Sequence, residues 1–101
     1  MKRIEYSLNA DLEILGITEY LLFQFGSKVT ETRIQKLFTD INKLATHPYM
    51  GKSVDGHDQN LRQIFSDPNV VIYDIDDDII EILHIVDARK DYMRLIGAGQ
   101  M

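Results

Sequence analysis

Cysteine is absent from the 101-residue chain. Neither a disulfide framework nor a thiolate metal site is open to it, and a reducing compartment fits. Basic residues are scarce as well: eleven Lys and Arg stand against sixteen Asp and Glu, a formal net charge of −5. A protein that grips phosphate backbones carries the opposite excess, because neutralising phosphates supplies most of such affinity. Direct nucleic-acid binding is therefore not expected. Long apolar runs are also missing. Asp11, Glu13 and Glu19 interrupt the only extended greasy stretch, and "MKRIEYSLNADLEIL" lacks the apolar run of a signal peptide. No membrane span, no membrane partner and a cytoplasmic location are the expectations. The length suits one domain over residues 1–101 with a single core.

What is present has clear periodicity. "RIEYSL" alternates Ile4, Tyr6 and Leu8 against Arg3, Glu5 and Ser7, the period of a half-buried strand. Asn9 is the expected N-cap of a helix running from Ala10 to Phe25, with Asp11 in its first turn and Gly26 as its C-cap. That helix is apolar over more than one stripe. A second helix places Ile34, Leu37, Phe38, Ile41, Leu44 and Ala45 on one face. Thr30 is its expected cap, with Ser27 as the alternative, and Pro48 closes it. After the loop "HPYMGKSVDGHDQN" come three strands, "LRQIF", "VVIYDI" and "IIEILHIVDA". They are separated by turns at Ser66–Asn69 and Asp76–Asp78. The last strand carries Ile80, Ile82, Val86 and His84 on one face and Ile79, Leu83, Ile85 and Glu81 on the other. Apolar faces on both sides suit an interior strand. The order β-α-α-β-β-β predicts an α+β fold, a helical hairpin packed on one face of a small, mostly antiparallel sheet of four strands.

Four aspartates in "YDIDDDIIEI" raise the question of a metal. Asp74, Asp76 and Asp78 have the opening spacing of a calcium loop, but the positions that need Gly and a bidentate Glu hold Ile79 and Ile85. The cluster reads as a hairpin tip, where Asp tolerates turn backbone, and no metal is expected. The three histidines, His47, His57 and His84, have no ligand-pair spacing. No nucleophile elbow, phosphate loop or dinucleotide fingerprint appears, so no cofactor is expected. His84 shares its strand with isoleucines, which suits a packed, hydrogen-bonded side chain better than a catalytic one. Arg62, Arg89, Lys90 and Tyr92 are the remaining candidates for chemistry. Arg62 could equally be an ion-pair partner of Glu81 or Asp87, and Arg89 and Lys90 read most simply as a solvated charged end.

Several stretches in this order resemble the RelE/ParE superfamily of toxins from type II toxin–antitoxin systems, in particular its ParE-like, plasmid-stabilisation branch. "NADLEILGITEYLLFQFG" resembles the family's A-x-x-D-L-x-x-I-x-x-Y first helix followed by Gly. "LATHPYMGKSV" is similar to its L-x-x-x-P-x-x-G turn, and "NLRQI" to its L-R strand. "VVIYDIDDDIIEILHIVDARKDY" resembles its closing strand pair. The likeness spans about residues 3–92.

The resemblance implies a toxin that poisons growth when free and is silenced by a cognate antitoxin, expected here to be acidic or mixed in charge. Such antitoxins lay a helix in a groove or a strand along the sheet. On that reading Leu15, Tyr20, Leu22 and Phe23 face the antitoxin; on the alternative they meet the second helix and the sheet. Two actions are implied within the superfamily: inhibition of DNA gyrase by binding, without chemistry, and ribosome-dependent cleavage of mRNA. Cleavage would need Arg62 and Arg89 for charge and His84 or Tyr92 for proton transfer. The final strand departs from the family pattern, with Asp87 where many ParE-like chains carry His. The shortage of base and the lack of a convincing catalytic set favour binding. The mRNA endonuclease and an inactive, toxin-like interaction module are the alternatives.

Overall fold

A computed structural model describes residues 1–90. The chain folds as β1 (Arg3–Tyr6), α1 (Leu8–Asn42), two 3₁₀ turns (Lys43–Ala45 and Pro48–Met50), β2 (Lys52–Ser53), β3 (Leu61–Ser66), β4 (Asn69–Asp76) and β5 (Ile79–Asp87). The strands form one sheet in the order β1-β5-β4-β3-β2, with β1 parallel to β5 and every other pairing antiparallel. The fifth strand is the two-residue β2, inside the segment that the sequence suggests is all loop.

α1 is two helical arms, 8–25 and 27–42, joined at one residue. Gly26 has φ 83° and ψ 178°, a conformation essentially reserved for glycine. A straight helix of 35 residues would be roughly 50 Å long. The longest dimension of the molecule is 39 Å, so the arms fold back on one another. The expected hairpin is thus built with a one-residue hinge. Its caps lie elsewhere than the sequence suggests. Ser7, not Asn9, caps the first arm: its Oγ accepts the Ala10 N–H at 3.0 Å and donates to the Leu83 carbonyl at 2.8 Å, tying the helix start to β5. Thr30 is no cap but a buried residue inside the second arm, its hydroxyl donating to the Gly26 carbonyl at 2.8 Å. The second arm starts at Ser27, the other expected position.

Leu37 and Ile41, with Leu44 of the 3₁₀ turn that follows, carry the second arm onto the sheet, where they bury against Ile64, Val71, Tyr73, Ile80, Ile82 and Ile85. Burial of each large aliphatic side chain contributes roughly 1.5–3 kcal/mol before chain entropy is subtracted. Only Ala10 and Leu21 of the first arm are fully buried, with Ile14 and Ile17 half-buried beside them. At the far end Asp40 accepts from the Ser66 hydroxyl at 2.7 Å and pairs with Lys36 at 2.8 Å, fastening the second arm to the end of β3.

β5 does not keep the two faces its sequence suggests. The pairing with β4 shifts by one residue between Ile72 and Tyr73, leaving Leu83 as an extra residue. A bulge of this kind inverts the alternation beyond it. Ile85 therefore joins Ile80 and Ile82 in the core, while His84, paired with Ile72, leaves that face.

Candidate functional site

The first arm has apolar residues on two opposite sides. At 3.6 residues per turn, Ala10, Ile14, Ile17 and Leu21 fall on the side that meets the sheet. Leu8, Leu12, Leu15 and Leu22 recur at intervals of four, three and seven on the opposite side, with Phe23 beside them, and all five are exposed. Phe23 is 87% exposed, Leu15 53% and Leu22 47%. None of these side chains belongs to the core formed by the described residues, which therefore does not account for their apolar character. Scattered exposed leucines are ordinary; a continuous face of them on one helix marks a contact surface.

Tyr20, 59% exposed, lies on a different side. It borders a groove of about 960 Å³ between the two arms, the β3–β4 turn and the end of β5. Ile17, Leu21, Ile34, Leu37, Ile85 and Val86 contribute to its lining. Tyr20 meets Phe25 edge-to-face at 6.4 Å, and the Arg33 guanidinium stands 5.9 Å from the Phe25 ring centre. Phe65, Arg89 and Lys90 also border the groove. The structure thus gathers Leu15, Leu22 and Phe23 on one surface and sets Tyr20 apart on another.

The residues considered for phosphate chemistry are placed separately, and each described one is already engaged. The Arg62 Nε donates to the Gln59 carbonyl at 2.7 Å, and its Nη1 donates to the Gly51 carbonyl at 2.8 Å and the Tyr49 carbonyl at 3.4 Å. Its guanidinium lies 4.7 Å from the Tyr49 ring centre. Neither Glu81 nor Asp87 is its partner. Opposite it, Tyr73 is fully buried; its hydroxyl donates to the Pro48 carbonyl at 2.7 Å and accepts the Gly51 N–H at 3.2 Å. Arg62 and Tyr73 together hold the 48–59 segment against the sheet. Burial pushes the Tyr73 phenol above its ordinary value, which keeps it a neutral donor.

Arg89 is bound to Asp87, with Nε–Oδ1 at 3.0 Å and Nη2–Oδ2 at 2.7 Å, and its N–H also donates to Oδ1 at 2.8 Å. These bonds hold the Asp87 carboxyl far below the usual carboxylate range. Asp87, the departure from the family pattern, therefore neutralises the cation that follows it. Arg62 pairs with Tyr73 and Asp87 with Asn69, four residues apart along β4, so Arg62 and the Asp87 that holds Arg89 belong to rungs separated by roughly 13 Å. His84 Nδ1 lies 3.0 Å from Glu13 Oε2, and the other oxygen of Glu13 accepts the Ile85 N–H at 2.8 Å. Tyr92 lies outside the described residues.

Three residues that the sequence does not single out matter here. Glu13 fixes His84 across 71 positions, a separation no local pattern reports. Arg33 and Phe65 border the groove; Phe65 had a signal, since period two in "LRQIF" sets it opposite the buried Ile64. Among the described residues no group of three or more His, Asp or Glu is arranged to hold a metal.

The family model described as the ParE toxin of the type II toxin–antitoxin system, parDE, matches residues 4–92. The chain belongs to the ParE toxin family. No curated protein matches its sequence. Among solved structures it is similar to one described as the chromosomal ParDE toxin–antitoxin system from P. aeruginosa, with TM-score 0.73 and 15% identity over 86% of this chain and 96% of that one. The conserved hypothetical protein HP0894 from Helicobacter pylori matches with TM-score 0.56 at 15% identity, over 89% and 98% of the two chains. A mutant of YafQ from E. coli matches with TM-score 0.52 at 14% identity, over 87% and 94%. At such identities the likeness establishes the fold. Among the described residues of this ParE-family chain, no helix is long and apolar enough to cross a membrane.

Proposed function

We propose that this ParE-family toxin acts in the cytoplasm by binding and inhibiting a protein target, of which DNA gyrase is the type, and that a cognate antitoxin silences it by covering the first arm. The observation that carries the reading is the outward face of that arm, where Leu15, Leu22 and Phe23 remain exposed on a helix anchored by its other side. Tyr20 extends the contact into the groove. The state of the polar candidates also favours binding over cleavage. An mRNA endonuclease needs cations free to meet a developing phosphorane and a proton donor and acceptor beside them. Here Arg62 is bonded to loop carbonyls, Arg89 to Asp87 and His84 to Glu13.

Expression of the chain alone and together with its neighbouring gene product tests the proposal. Growth arrest relieved by the neighbour, with loss of supercoiling activity when purified gyrase is mixed with the toxin, is the expected result. Cleavage of translated messages, mapped by primer extension and abolished by Arg62→Ala or Arg89→Ala, would replace binding with ribosome-dependent endonuclease action. A chain harmless in every setting would instead be an inactive interaction module.

A further inference from the structure

We propose that the outward leucine face of the first arm takes an amphipathic helix whose apolar seam is bordered by Lys and Arg. The inference rests on the reading that this arm docks a protein partner, and adds the chemistry of the segment that covers it. The spacing argues for a helix: Leu8, Leu12, Leu15 and Leu22 follow the four-three rhythm with which one helix packs along another. A strand would present its side chains at a period of two and meet only part of this row.

Charge selects the partner's flanks. No Lys or Arg occurs between Arg3 and Lys28, so the whole first arm carries only Asp11, Glu13 and Glu19 as charged residues. Glu13 is turned to His84 and Ile85. Asp11 and Glu19 are exposed. Glu19 occupies the seam itself, three residues before Leu22 and four after Leu15, where the repeat calls for an apolar residue. A carboxylate in a helix seam selects for a cation opposite it, because enclosing it against an apolar or acidic neighbour leaves an unpaired charge. Among the described residues neither Asp11 nor Glu19 forms an ion pair.

The same charges weigh against other occupants. A second copy of the chain laid on this face would set Asp11 and Glu19 against their own counterparts, with no cation on either arm to answer them. An anionic lipid surface is repelled in the same way. The groove is mixed in charge: Arg33, Arg89 and Lys90 stand on its border beside Glu13, Asp67 and Asp87. Of the acidic or mixed partner suggested by the sequence, only the mixed one brings cations to the outward face.

The test uses the full chain and two synthetic helical peptides with the same leucine seam, one flanked by Lys and Arg and the other by Glu. Fluorescence anisotropy should give at least about tenfold tighter binding for the basic-flanked peptide. The preference should shrink as salt is raised from about 0.05 to 0.3 M and reverse in the double variant Asp11→Lys/Glu19→Lys. Equal or stronger binding of the acidic-flanked peptide overturns the inference. So does a concentration-dependent dimer, seen by light scattering, that Leu15→Glu abolishes. Hydrogen exchange with the neighbouring gene product separates the two levels. If that product protects residues 8–23 while the acidic-flanked peptide is preferred, the charge inference alone fails. If neither that product nor either peptide binds, the docking reading fails with it.

Discussion

Gly51 shows how closely the loop is set on the sheet. A β-carbon there would lie 2.6 Å from the Gln63 carbonyl oxygen, 2.6 Å from the Tyr73 hydroxyl and 2.9 Å from Ile64 Cγ2. Its φ of −77° is open to any residue, so the constraint is space alone. Gly51→Ala is expected to destabilise by about 1–3 kcal/mol in urea unfolding, as overpacking does. Tyr73→Phe removes the partner of both the Pro48 carbonyl and the Gly51 N–H. It should cost a similar amount, about 1–3 kcal/mol. Two carboxyls make opposite pH predictions. Hydrogen bonds from Lys36 and Ser66 hold Asp40 below its ordinary value of 3.8, so its contribution is intact above that value and fades as the pH falls through the lowered one. Asp74 is shifted the other way, first by burial and then by Asp76, Asp58 and Glu81. A carboxyl raised by folding opposes it at neutral pH, and the penalty disappears below 3.8. Asp74→Asn should therefore raise the melting temperature at pH 7 and leave it unchanged near about pH 3.

At the scale of elements, Gly26 decides whether α1 is a hairpin. Nothing lies within 4 Å of a β-carbon built there, so Gly26→Ala meets a backbone penalty only, about 1–3 kcal/mol by denaturant unfolding. The sequence disclosed this junction, both helices, the two strand turns and the strand order along the chain, because each rests on local periodicity or turn chemistry. It did not disclose the bulge at Leu83, which exists only in the pairing of β4 with β5. His84, Ile85 and Val86 for that reason lie on the faces opposite to those that simple alternation assigns. β2 is not legible in the sequence because two residues carry no period, and its pairing with Gln63 and Arg62 supplies all its definition. The N-cap differed by two positions because the Ser7 hydroxyl satisfies a β5 carbonyl as well as the helix, a tertiary reason that outweighs the local preference for Asn9. The surplus apolar residues of the first arm were visible as a number too large for one stripe. Which of them faced outward needed the structure.

For the whole molecule, the separation between a sheet-facing and an outward side of one helix predicts that stability and partner binding can be altered independently. Leu15→Glu and Phe23→Glu should leave urea unfolding within about 0.5 kcal/mol of the parent chain, since both sites are exposed. The same variants should lose the antitoxin in co-purification and remain toxic when it is co-expressed. The contact between Glu13 and β5 also closes part of the sheet's edge. β1 spans only four residues, and its pairing with β5 stops at Ile82. Past that point the carboxylate of Glu13 takes the Ile85 N–H that a longer first strand would have taken. The rim of the sheet is thus sealed there by a side chain, and a foreign polypeptide seeking to extend it must first dislodge that plug. At high concentration the molecule is guarded at this rim against stacking upon its own kind.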